Sequence, residues 1–113
     1  MSLPFIFCAS ITAISAIISL GFSIAAALGA SDIARTIALY ACARSTALVI
    51  ASAVPFFTGS TGWLQAMAWS MIIVQACDAV IGGTINDPMK TYGPAVTALL
   101  NLVAVIWLIQ ALP

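Results

Sequence analysis

The segment Pro4–Leu28, PFIFCASITAISAIISLGFSIAAAL, decides the fold class. It carries no charge, and a helix needs only about 20 apolar residues to cross the hydrocarbon core of a bilayer. No Lys or Arg precedes it, and it is longer than the roughly 7–15 apolar residues at the heart of a cleaved signal peptide. It therefore reads as a retained first span.

The composition of the whole chain agrees. Of 113 residues, 64% are hydrophobic and 5% are charged, against about 25% charged in a soluble domain. A chain so poor in polar groups cannot cover itself with a water-compatible surface, so lipid is its expected solvent. Three further segments are long and apolar enough to span, at about 33–57, 63–82 and 92–112. Gly29 suits the end of the first helix, and Ser31 and Asp32 offer caps for the second. Pro55 is expected to kink or end that second helix. The uncharged turn Thr58-Gly59-Ser60-Thr61-Gly62 predicts a tight hairpin between spans two and three. The longest loop is expected over Gly83–Lys90, with Thr91 capping the last helix and Pro94 in its first turn.

These boundaries predict one transmembrane domain over residues 1–113: an all-α, four-helix antiparallel bundle with both termini on one side. Arg35 and Lys90 lie at the first and third loops, so the positive-inside rule places those loops in the cytoplasm of a plasma membrane or endomembrane. No basic run marks a nucleic-acid surface, and nucleic acid is excluded as a partner. The chain lacks His. Cys8, Cys42 and Cys77 have no metal-site spacing, and Cys8 and Cys77 fall near opposite membrane faces, beyond the roughly 7 Å between Cα atoms that a disulfide tolerates. No metal or cofactor is expected, and the cysteines read as small apolar fillers. Trp63, Trp107, Tyr92, Phe56 and Phe57 sit toward span ends, where interfacial aromatics collect; Trp69 lies deeper.

Asp32, Arg35, Asp87 and Lys90 fall at loops or helix ends and read as caps and topology signals. Arg44 and Asp78 fall inside spans, where an ionised side chain costs at least about 2.5–3.5 kcal/mol and normally faces a partner in the bundle interior. Arg44 lies roughly 17 Å, and Asp78 roughly 6 Å, from the membrane face of the first and third loops at 1.5 Å per residue. Helical side chains lean toward their own N-terminus, so the two heads converge. An Arg44–Asp78 contact is predicted, displaced toward that face. Helical spacing adds neighbours: the stripe Cys8, Thr12, Ser15, Ser19 and Ser23 in span one, Tyr40 in span two, Gln75 and Met71 in span three, and Thr97 and Asn101 in span four. The candidate catalytic pair is thus Asp78 and Arg44, with Tyr40, Gln75, Asn101, Thr97, Ser15 and Ser19 as candidate substrate-binding groups. For the Ser/Thr stripe alone, small-residue packing and interhelical hydrogen bonding are the favoured account; for Arg44 with Asp78, Asn101 and Tyr40, packing and function are balanced.

Three short stretches also carry a resemblance. Tyr40-Ala41-Cys42-Ala43-Arg44, Gln75-Ala76-Cys77-Asp78-Ala79 and Tyr92-Gly93-Pro94-Ala95-Val96-Thr97 resemble segments of small four-helix membrane proteins of the DoxX-like type, closest to a fungal and bacterial group of that kind. Members often carry an acid directly after the Arg, where this chain has Ser45, and a His in the third loop, where it has Lys90. The resemblance implies the four-helix fold and singles out Arg44 and Asp78; it implies no activity.

Three functions fit. The first is a cofactor-independent enzyme acting on a lipophilic small molecule, with Asp78 as general acid or base and Arg44 orienting it or stabilising negative charge; epoxide opening, isomerisation or cyclisation requires no more. The second is a small carrier or channel component, working as a homo-oligomer. The third is a non-catalytic subunit whose polar groups fix helix register.

Overall fold

The computed structural model describes residues 1–112 and consists of four helices: α1 (Leu3–Gly29), α2 (Asp32–Thr58), α3 (Thr61–Thr84) and α4 (Pro88–Ala111). Each is long and apolar enough to cross a membrane. The expected spans are all present, and each is longer than expected.

The helix ends explain the difference. Ser2 opens α1 with a side chain that accepts from the Phe5 N–H, and Pro4 occupies the first turn. At α2 the expected caps do not form. Ser31 makes no side-chain capping bond, and Asp32 takes a left-handed φ of 54°, which Asp tolerates better than most residues. Pro55 does not end α2, which continues to Thr58 and closes on left-handed Gly59, whose N–H donates to the Pro55 carbonyl. Ser60 then caps α3 by accepting from the Trp63 N–H, so this hairpin turn is only Gly59-Ser60.

The long third loop also shrinks. α3 runs to Thr84, and α4 begins at Pro88 with Asp87 as its cap, accepting from the Lys90 N–H. Thr91 is not the cap: its hydroxyl donates back to the Asp87 carbonyl from inside the helix. Pro94 consequently lies in the body of α4 and not in its first turn.

α1 is the centre of the assembly and packs on all three other helices, whereas the backbones of α2 and α4 do not come close among the described residues. Small side chains make this arrangement close. Ser19 and Ser23 of α1 meet Ser45 of α2 through hydroxyl contacts of 3.1 and 3.3 Å. Thr12 donates to the Asn101 side-chain oxygen at 3.0 Å, and the Asn101 amide donates to the Ala68 carbonyl at 3.3 Å, joining α1, α3 and α4. Gln75 donates to the Ser15 carbonyl from α3. The predicted α1 stripe therefore faces inward along its whole length, and Cys8, Thr12, Ser15, Ser19 and Ser23 are all buried.

The two ends of the assembly differ. Phe5, Cys8 and Ala9 of α1 join Leu64 and Ala68 of α3 and Ala104, Val105 and Leu108 of α4 in a closed apolar core. Toward the ends of α1 and α3 no such cluster forms, and a cavity opens instead.

Candidate functional site

The cavity has a volume of about 570 Å³ and draws residues from all four helices. Its walls are mostly apolar, contributed by Ile18 and Phe22 of α1, Ile37 of α2, Ile81 of α3 and Met89 of α4. Such a volume lies in the usual range of about 300–1,000 Å³ for small-molecule sites. α2 and α4 both line it, although their backbones do not approach each other closely.

Arg44 and Asp78 lie in this lining, with Arg44 Nη2 3.8 Å from Asp78 Oδ2. The expected approach of the two side chains is present. It is a loose ion contact, beyond hydrogen-bond distance and far from the two-pronged geometry of a tight Arg–carboxylate pair. The side chains are 49% and 28% exposed, and neither makes another side-chain hydrogen bond among the described residues. A carboxylate and a guanidinium that do not saturate one another keep acceptor and donor capacity for a third molecule.

Of the other sequence-predicted residues, Gln75, Thr97 and Ser19 line the same cavity. Gln75 is held by its bond to the Ser15 carbonyl, and Thr97 turns its hydroxyl back onto the Gly93 and Pro94 carbonyls.

Three of the expected groups lie outside the lining. Tyr40 is 74% exposed and is not part of the lining; α2 contributes Ile37, Ala41 and Arg44 to it, while its buried positions are Ala38, Ser45, Ser52 and Pro55. Asn101 is fully buried one turn past Thr97, on the closed side of the molecule, with Thr12 and Ala68 engaging both ends of its amide. Ser15 is buried against its own helix, its hydroxyl donating to the Ile11 carbonyl. Asn101 and Ser15 hold helices together and face no open space. Met71, placed near the site by spacing, is likewise fully buried.

The sequence reading missed Lys90, Gly93 and Pro94, which line the cavity from α4. The signal was present. With Asp87-Pro88 taken as cap and first helical residue, Lys90, Gly93, Pro94 and Thr97 fall at i, i+3, i+4 and i+7 on one face. Lys90 is thus part of a wall, and it also contacts Asp87, Nζ to Oδ2, at 4.0 Å. Ser45, noted only as a departure from the DoxX-like pattern, is fully buried and bridges to α1.

No three metal-ligating side chains gather among the described residues, and the three cysteines are free. Cys8 is buried in the closed core, as expected of a small filler, whereas Cys77 faces outward. No family model, curated protein or solved structure matches the chain.

Proposed function

We propose that the chain is an integral membrane protein whose cavity binds a lipophilic small molecule and transforms it by acid–base chemistry without a cofactor. In this reading the helices alternate in direction, both termini share one side of the membrane, and the first and third loops, which carry Arg35 and Lys90, are cytoplasmic. The chain is then a distant relative of the DoxX-like group through its Tyr40–Arg44, Gln75–Ala79 and Tyr92–Thr97 segments.

The observation that carries the proposal is the unsaturated Arg44–Asp78 contact in a cavity whose other walls are mainly apolar. A purely structural ion pair is a poor means of stabilisation, because desolvating two charges offsets most of their attraction. Where such a pair exists for packing, the two groups are expected to satisfy each other closely. Here both retain free hydrogen-bonding capacity beside an open volume. Asp78 gives or takes the proton; Arg44 positions it or stabilises negative charge on a substrate oxygen, and the apolar walls exclude water. Epoxide opening, double-bond isomerisation and proton-initiated cyclisation need only these elements.

The test is mass spectrometry of small molecules retained by gently purified protein, comparing wild type with Asp78→Asn. The variant is expected to keep its helical content and its bound molecule while losing conversion by about 10²–10⁴-fold, the usual range for a single acid–base group. An empty wild-type cavity refutes the enzyme reading. A flux in liposomes that depends on pH and disappears in Asp78→Asn replaces it with a carrier. If Asp78→Asn combined with Arg44→Ala matches wild type throughout, the pair only sets helix register.

A further inference from the structure

We propose that the cavity takes a single-chain or compact-ring amphiphile with an anionic head, the head lying between Arg44 and Lys90. This inference rests on the reading of the cavity as a ligand site and adds the chemical class of the ligand.

Three charged side chains line the cavity, two cations and one carboxylate: Arg44, Lys90 and Asp78. Arg44 reaches Asp78 at 3.8 Å. Gly82, one turn after Asp78 on α3, lies so close to α4 that a Cβ there would collide with the Lys90 carbonyl and come within 2.8 Å of the Thr91 nitrogen. Lys90 is thereby anchored about one helical turn, roughly 6 Å of rise, from Asp78. Each cation has only a long contact to a carboxylate, 3.8 Å for Arg44 and 4.0 Å for Lys90, and both side chains are about half exposed. Neither donates a side-chain hydrogen bond among the described residues.

Within the lining two under-used cations stand with one carboxylate, Asp87 balancing Lys90 from outside it, so both cations keep donors free on an otherwise mainly apolar cavity. Arg offers a fork of donors and Lys a mobile point charge, a combination suited to an oxyanion such as a carboxylate. The remaining walls, Ile18, Phe22, Ile37, Ile81 and Met89, suit a hydrocarbon body. A volume of about 570 Å³ holds one chain or a small ring system and is too small for a two-chain phospholipid. The separation of the α2 and α4 backbones is the route by which such a molecule would enter sideways from the hydrocarbon.

The experiment places the full chain in phosphatidylcholine nanodiscs and titrates parinaric acid, a fluorescent polyene carboxylate, alongside its uncharged methyl ester. Wild type is expected to bind the acid about ten-fold more tightly than the ester, the scale of one or two charge-assisted hydrogen bonds. Lys90→Gln and Arg44→Gln should each remove most of that preference, and ester binding by Lys90→Gln should remain, which also shows that the cavity is intact. Arg35→Gln, which removes a charge outside the lining, should change nothing. Equal binding of acid and ester, no binding of the acid, or equal weakening by Arg35→Gln overturns the proposal. So does displacement of the acid on doping the discs with phosphatidylglycerol, which would assign the cavity to bulk anionic lipid. Acid preference without turnover of any substrate leaves this inference standing and removes the acid–base reading; turnover of a neutral molecule without acid preference does the reverse.

Discussion

Pro55 has no amide hydrogen to return to the Ala51 carbonyl one turn earlier, and in hydrocarbon no water replaces it. Trp63, the third residue of α3, supplies the missing donor: its indole Nε1 meets the Ala51 oxygen at 2.8 Å. An aromatic expected only to mark the interface thus also repairs α2, and the two-residue turn at Gly59-Ser60 brings it within reach. Trp63→Phe keeps the ring and loses the donor, and is expected to cost about 1 kcal/mol, within the range for hydrogen bonds inside membrane bundles. In a Pro55→Ala background the helix restores its own N–H, so the same Trp63→Phe change should cost markedly less. Unfolding in mixed micelles reads both values. Equal costs in the two backgrounds would show that the indole bond does not compensate for the proline.

The α3–α4 corner depends on where two small elements meet. Gly82 is the one glycine against which a neighbouring backbone packs closely, and the neighbour is the Lys90 carbonyl. Pro94 cannot donate to that carbonyl from within the helix, so the two helices meet where the α4 ladder is interrupted. The corner is closed further by Asn86 in the left-handed region and by the Asp87 N–H donating to the Gly82 carbonyl at 3.1 Å. Gly82→Ala should therefore push α4 away, costing about 1–3 kcal/mol as overpacking usually does, and should widen the cavity at Lys90. Gly83→Ala meets nothing within 4 Å and should be neutral or stabilise by up to about 1 kcal/mol through helix propensity. Thermal unfolding of the two adjacent variants separates packing from propensity; similar values for both would show that the corner is not tightly packed.

The assembly as a whole is two helix pairs, α1 with α2 and α3 with α4, joined chiefly through α1. Across that seam run the apolar core of Phe5, Cys8 and Ala9 against α3 and α4, and the Thr12–Asn101, Gln75–Ser15 and Trp63–Ala51 hydrogen bonds. Fragments 1–59 and 60–113 produced together in one membrane should consequently associate and co-purify. Thr12→Val with Asn101→Leu should weaken that association by roughly 0.6–1.7 kcal/mol, the range for the one hydrogen bond removed between the fragments. Fragments that never associate would place the stability in the connecting turn. The same double change leaves the cavity lining untouched, so ligand retention per folded molecule should stay at the wild-type level.

Residue order alone determined four helices, their approximate limits and the approach of Arg44 to Asp78. These follow from run length, from the bilayer's fixed thickness and from the direction in which helical side chains lean, all of them local or one-dimensional quantities. The inward course of the α1 stripe was legible for the same reason, since spacing of three and four residues defines a face. Only the tertiary structure decided which polar groups border open space. Asn101 and Ser15 lie on the predicted inward faces, yet the Asn101 amide is engaged by neighbouring helices and the Ser15 hydroxyl by its own, whereas Tyr40 is turned outward from α2, which packs mainly on α1. Lys90 moved from a supposed loop to the cavity wall because Asp87 and Pro88 start α4 early and Gly82 admits its backbone. Helical periodicity gives the direction of a side chain from its own axis; whether that direction ends in a partner, in lipid or in a cavity depends on the distance to the next helix.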